Sequence, residues 1–303
     1  MKIRRAAAYG VCRTADGSVL LARGSDLSAF PGVWSLPGGG VDHGEHPADA
    51  VVREFAEETG LAVVIDGVRA VVADVIALPD GPDAALRGLV EHTDRIIYDV
   101  TVTGGDLRPE IDGTTDLAQW VTHAEVAGLP LLPFTARALG VQFEAPGTVP
   151  PSDEPVRRAD RVQRFGAYGW VTDPDGRILL ARITQGYPGG GHWHLPGGGT
   201  DFGETPEQGL LREIYEETSH QGRIETLLSV GHRYDPAALG PEGVPLDWHV
   251  IRVVYRVRVD EPGIATVTEA AGGSTDRASW FTRGEVAELP LTELAQETLA
   301  KAG

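Results

Sequence analysis

Residues 39–61 read GGVDHGEHPADAVVREFAEETGL, and residues 198–220 read GGTDFGETPEQGLLREIYEETSH. Both stretches set a glutamate (Glu45, Glu204) six positions after a glycine and an arginine (Arg53, Arg212) eight positions later. Three more acids then follow at one spacing, Glu54, Glu57 and Glu58 in the first copy and Glu213, Glu216 and Glu217 in the second. On a helix these stand at i, i+3 and i+4, so their carboxylates share a single face. Val51, Val52 and Phe55 supply the adjacent apolar face. The helix start is legible: Thr205-Pro206-Glu207-Gln208 has capping-box spacing with proline at the first helical position, and Pro47 holds the same place in the first copy. The spacing predicts helices running to about Thr59 and Thr218.

The doubling extends well beyond these stretches. Ala8-Tyr9-Gly10 recurs as Ala167-Tyr168-Gly169, Leu20-Leu21-Ala22-Arg23 as Leu179-Leu180-Ala181-Arg182, and Trp34-Ser35-Leu36-Pro37-Gly38-Gly39-Gly40 as Trp193-His194-Leu195-Pro196-Gly197-Gly198-Gly199. Farther on, His92 and Arg95 match His249 and Arg252, and Thr115-Asp116 with Trp120 matches Thr275-Asp276 with Trp280. A repeat this long is a whole domain and not a solenoid unit. The chain of 303 residues therefore divides into residues 1–145, a proline-rich linker at 146–160, and residues 161–303. In each copy, runs such as 6–13 and 19–23 read as an opening hairpin around Asp16-Gly17, repeated around Asp175-Gly176. Residues 95–102 and 250–259 read as later strands. A short helix follows each Leu-Pro-Leu (129–131, 289–291). Each copy is mixed α/β.

Composition narrows the partners. Twenty-six basic residues against 44 acidic ones leave a net charge of −18, which opposes binding to nucleic acid or an anionic membrane. Residues 1–150 hold 11 Lys and Arg against 21 Asp and Glu, so no basic domain hides in the average. The single cysteine, Cys12, reads as a buried core residue and fits a reducing, cytoplasmic setting. No apolar run approaches the length of a membrane span.

Clustered carboxylates need a counter-charge, because two unit charges 5–6 Å apart repel by about 3 kcal/mol at an effective dielectric near 20. A hard divalent cation such as Mg²⁺ supplies it and commonly shares its coordination with substrate phosphates. Arg53 can also pair with Glu45 or Glu57. Upstream, Gly38, Gly39 and Gly40 lack a Cβ and let the backbone approach phosphate oxygens, as do Gly197 and Gly198 in the second copy. A loop and a helix thus read as a single phosphate-and-metal pocket.

This pattern resembles the signature of the Nudix hydrolases, which act on nucleoside diphosphates linked to another moiety. Copy one matches its charged and glycine positions over 39–61, with Phe55 where an aliphatic residue is commoner. Copy two departs at its last two positions, Ser219 for glycine and His220 for an aliphatic residue. A left-handed cap at Ser219 would cost about 1 kcal/mol or force another exit from the helix.

The resemblance implies two tandem α/β/α sandwich domains, each around a mixed sheet, and Mg²⁺ or Mn²⁺ as cofactor. It implies Glu54, Glu57, Glu58, Glu213, Glu216 and Glu217 as metal ligands, supported by Glu45, Glu204, Arg53 and Arg212. The implied reaction is attack of water on phosphorus in the diphosphate linkage of a nucleotide derivative. Its general base is expected at Asp116 and Asp276, with Glu57 and Glu216 in reserve.

Arg95 and Arg252, beside His92 and His249, are candidates to reach a substrate phosphate. Trp34, Trp193, Trp120 and Trp280 fit packing better than base stacking. Pro79, Pro236 and Tyr234 lie where some relatives carry substrate-class markers. The partner is a small nucleotide or diphosphate, and the chain is expected as a monomer with pseudo-dimeric halves or as a homodimer. The main alternative keeps copy one catalytic and makes copy two a nucleotide-binding, regulatory module; a non-catalytic nucleotide sensor is the other.

Overall fold

Strand residues alternate between the two faces of a sheet, so the apolar run that begins each copy can carry one helix on each side. A computed structural model of the chain describes residues 2–78, 88–142, 161–239, 245–268 and 273–302. It forms two compact units, Met1–Gln163 and Arg164–Gly303. The linker expected at 146–160 lies outside the described residues, as does Pro79.

In the first unit β1 (Lys2–Cys12) lies parallel to β6 (Val90–Gly105). Strand β4 (Gly38–Gly40) pairs antiparallel with β1, and β5 (Leu61–Ala77) pairs antiparallel with β6. This is the mixed sheet. A second sheet joins β3 (Trp34–Ser35), β2 (Val19–Gly24) and β7 (Thr115–Val121). The expected opening hairpin is short in this unit: β1 and β2 are bridged antiparallel across the turn by Arg13 and Val19 and then diverge into different sheets.

Helix α1 (Pro47–Thr59) covers one face of the mixed sheet, where Phe55 lies so close to Gly10 that a Cβ there would strike its ring. The neighbouring residue Tyr9 points the other way, with its ring 4.4 Å from that of Phe134 on α3 (Pro133–Leu139). Between them falls α2 (His123–Val126), a single turn closed by a Thr122–Glu125 capping box. Ala7, Tyr9, Val11, Leu21, Trp34, Ile97 and Phe134 form the core on the α3 side. Val52, expected on the apolar face of α1, is instead exposed.

The second unit repeats the plan with β8 (Arg161–Thr172), β9 (Ile178–Ile183), β10 (Trp193–His194), β11 (Gly197–Gly199), α4 (Pro206–Thr218), β12 (Arg223–Leu239), β13 (Pro245–Arg258), β14 (Thr275–Phe281), α5 (Arg283–Ala287) and α6 (Glu293–Lys301). Here two β8–β9 pairs, Val171 with Leu179 and Thr172 with Ile178, join all seven strands into one sheet. Trp170, Trp193, Leu195, Val254 and Leu294 fill the core beneath α6. Trp34 and Trp193 are thus packing residues, and Cys12 is buried.

Candidate active site

Each site starts from a glycine that no other residue could replace without movement. Gly38 has φ +138° and Gly197 φ +134°, and a Cβ at either would collide with the carbonyl of Ala8 or Ala167 on the adjoining strand. At the next position the space is taken by the helix: a Cβ on Gly39 would lie 2.6 Å from Glu54 Oε1, and one on Gly198 would lie 2.9 Å from the carboxyl carbon of Glu213. The glycines therefore let a carboxylate rest against the loop backbone.

Arg53 gathers the acids. Its Nε and Nη2 donate to Glu45 at 3.0 Å each, Nη1 donates to Glu54 at 2.9 Å and to Glu57 at 3.1 Å, and Nη2 also reaches the Gly40 carbonyl at 2.9 Å. Arg212 repeats this with Glu204 at 2.8 and 2.9 Å, Glu213 at 2.9 Å, Glu216 at 3.2 Å and the Gly199 carbonyl at 3.2 Å. The hydrogen bonds that they donate to Glu45 and Glu204 hold these guanidinium groups firmly protonated. The structure thus brings together Glu45, Arg53, Glu54 and Glu57, and their four counterparts.

Glu58 sits apart from the arginine. Its two oxygens accept from the Gly38 backbone N–H at 2.9 Å and from the Thr115 hydroxyl at 2.8 Å, and burial pushes its carboxyl up to about 8. Glu217 makes the same bonds with Gly197 N–H at 2.8 Å and with the Thr275 hydroxyl. Burial also raises Glu54, outweighing its bond to Arg53. Among the described residues no three His, Cys, Asp or Glu side chains already close around a cation. The donor set still fits a hard divalent ion. It is all oxygen, it lies in a glycine cradle that a Cβ would fill, and burial raises its Glu54 and Glu58 carboxyls, a shift that a cation would oppose.

Three sets of expected residues do not lie beside the box carboxylates. Asp116 and Asp276 do not join the carboxylates: each is ion-paired at 2.8 Å, with Arg23 and Arg182 respectively. Thr115 and Thr275, one residue earlier and hence on the opposite strand face, make the contact to the site instead. The repeated Thr-Asp dipeptide is the signal in the sequence, and its threonine is the member that bonds the box. Arg95 and Arg252 lie on the α3 and α6 sides of their sheets, away from the box helices. Arg95 is buried, bonded to Asp74, and its guanidinium carbon stands 4.6 Å from the Phe134 ring centre. His92 and His249 are fully buried, the first 3.5 Å from Asp94 and the second 3.2 Å from His232. Trp280 caps the second box from outside, edge-on to His220 at 5.3 Å.

A family model for the NUDIX domain matches residues 3–140 and again residues 162–302. A Mycobacterium tuberculosis protein named "Putative 8-oxo-dGTP diphosphatase 3" is 34% identical over 167 residues, covering 53% of this chain and 72% of that protein. An ADP-ribose pyrophosphatase of Methanocaldococcus jannaschii is 33% identical over 119 residues, 39% of this chain and 61% of the relative. Among solved structures, a MutT NUDIX hydrolase from Burkholderia pseudomallei is 29% identical with a TM-score of 0.37, covering 47% of this chain and 99% of its own. No helix among the described residues is long and apolar enough to cross a membrane.

Proposed function

Because the chain belongs to the Nudix family, with a family domain in each half, we propose that it is a metal-dependent pyrophosphohydrolase that cleaves the diphosphate linkage of a nucleotide or nucleoside-diphosphate derivative. The observation that carries this reading is the repetition of one constellation in both halves, the same arginine, carboxylates and glycine cradle at matching distances.

Glu54, Glu57 and Glu58, with Glu213, Glu216 and Glu217, would hold Mg²⁺ or Mn²⁺. A divalent ion held there would supply Lewis-acid stabilisation of the charge that develops on the leaving phosphate. Arg53 and Arg212 hold the acid faces in place, and Gly38–Gly40 and Gly197–Gly199 present backbone to the phosphates. With the two aspartates engaged by arginines, the proton of the attacking water falls to Glu57 and Glu216. Of the carboxylates that each arginine gathers they are the most exposed, and among the described residues their side chains are bonded through its Nη1.

The names of the relatives guide the substrate screen towards modified nucleoside triphosphates and ADP-ribose. The test is Mg²⁺-dependent release of phosphate products by wild type, Glu57→Gln, Glu216→Gln and the double variant. The reading expects turnover in wild type and loss in the double variant; no turnover on any nucleotide or diphosphate would overturn it.

A further inference from the structure

A carboxylate carries lone pairs on two oxygens, and which of them can meet a cation depends on what fixes its plane. Arg53 sets three acids of the first box, Glu45, Glu54 and Glu57, and Arg212 sets their counterparts. Glu58 and Glu217 stand outside those two fans. Both are buried, and their orientation comes from elsewhere.

One oxygen of Glu58 accepts from the Gly38 N–H at 2.9 Å and the other from the Thr115 hydroxyl at 2.8 Å. Glu217 repeats both bonds, with the Gly197 N–H at 2.8 Å and with the Thr275 hydroxyl. The glycines belong to the box loop. The threonines open β7 and β14, 57 and 58 residues beyond the acids that they bond, and both are buried.

The threonines are themselves held. Ser25, just past β2, donates its N–H to the Thr114 carbonyl and its hydroxyl to the Gly113 carbonyl, both at 2.8 Å. Thr184, just past β9, does the same with Ser274 and Gly273, both at 2.9 Å. In the first unit the Thr115 N–H also donates to Glu110 at 3.0 Å. The strands pair through their backbones, Gly24 with Thr115 and Ile183 with Thr275, so the ladder needs neither threonine hydroxyl. The same four bonds thus recur in the two units although Ser25 is replaced by Thr184 and Thr114 by Ser274.

We propose that Thr115 and Thr275 are positioning residues for metal binding at the two boxes. Their hydroxyls, clamped in place by Ser25 and Thr184, fix the carboxylate planes of Glu58 and Glu217 and leave the remaining lone pairs of these acids for a divalent cation. The proposal rests on the metal-dependent reading of the boxes and adds to each a residue from outside its signature stretch. A ligand already oriented loses less freedom when an ion binds, and partners of this kind set metal affinity by about 10- to 100-fold.

The test reads Mn²⁺ binding directly, from the electron paramagnetic resonance of the free ion, with the full chain and no substrate. Wild type should bind Mn²⁺ at both boxes. Thr115→Val should weaken one half of this binding at least about tenfold and leave the other half unchanged, Thr275→Val should weaken the other half, and the double variant both. Thr115→Ser and Thr275→Ser keep the hydroxyl and should stay within about threefold of wild type. In turnover assays of the valine variants, the Mg²⁺ concentration giving half the maximal rate should rise by the same factor, with kcat at saturating Mg²⁺ within about threefold of wild type. Ser25→Ala and Thr184→Ala loosen the clamp and spare the threonines, and should weaken the same sites by about threefold or more. Should the valine variants fail to fold, wild-type Mn²⁺ affinity in these two alanine variants overturns the proposal. It is equally overturned by wild type that binds no Mn²⁺, by valine variants of wild-type affinity, or by serine variants as weak as the valine ones. Absence of turnover on every substrate would leave the Mn²⁺ readouts intact, whereas unchanged Mn²⁺ affinity in the valine variants beside Mg²⁺-dependent turnover would sink this proposal and not the hydrolase reading.

Discussion

The two boxes are near-copies in their arginine networks but not at their helix ends. Helix α1 ends on Gly60 at φ +73°, and a Cβ there would lie 2.6 Å from the Asp106 carbonyl oxygen. Helix α4 ends on Ser219 at φ +60°, keeping the same left-handed exit without glycine. Its hydroxyl donates to the Thr266 carbonyl at 2.6 Å. His220 adds a second clasp, its Nε2 accepting from the Gly263 N–H at 3.1 Å. Both units tie the following chain to the helix end through the backbone, Arg108 N–H to the Thr59 carbonyl at 3.0 Å and Thr266 N–H to the Thr218 carbonyl at 3.1 Å, and the second unit adds these two side-chain clasps. A departure from the signature thus need not disable a box, since it lies at the cap and leaves every carboxylate in place.

The strongest break in this symmetry would come from the proton acceptors. If both boxes work, Glu57→Gln and Glu216→Gln each remove one share of the turnover and the double variant loses about 10³-fold. Loss of the whole activity in one single variant, measured as kcat on a common substrate, would leave the other copy as a binding module.

Exchanging the caps comes next in size. Gly60→Ser should destabilise the first unit by about 2–3 kcal/mol, through left-handed strain and the approach to the Asp106 carbonyl, as read by denaturant unfolding.

Acid should act on both units through different histidines. His194, where the first unit has Ser35, is lowered to about 4 by burial. Its neutral form is favoured in the folded state, so the stability it contributes is present above the unfolded value of about 6.5 and is lost as pH falls through about 4. His46 caps α1 by accepting from the Ala48 N–H at 3.0 Å, and burial lowers it too, whereas Thr205 caps α4 without titrating. Its contribution likewise declines as pH falls below about 6.5. Melting temperatures from pH 7.5 to 4 should flatten for unit two in His194→Ser and for unit one in His46→Thr; unchanged slopes would refute the assignment.

The smallest effect expected is for Ser219→Gly, within about 0.5 kcal/mol of wild type, because relieved backbone strain offsets the lost bond to Thr266. A much larger loss would mean that the clasp, not the cap, holds this end.

Several elements were readable for local reasons. A helix face at i, i+3 and i+4 is set within one turn, which is why the acids, their arginine and the Pro47 and Thr205 starts could be placed from spacing alone. The long strands β5 and β12 were harder. Each carries three register shifts against its partner, and every extra residue breaks the alternation that marks a strand. The single-turn helices α2 and α5 are too short for any helical period to show.

The sequence by itself determined the duplication, the mixed α/β class and the shared face of acids in each box, because repeats and helical spacing are properties of the chain. Only the tertiary structure decided that Thr115 and not Asp116 faces Glu58, and that Arg95 is sealed under Phe134. A strand presents alternate residues to opposite faces, and which face meets the site depends on neighbours far away in the chain.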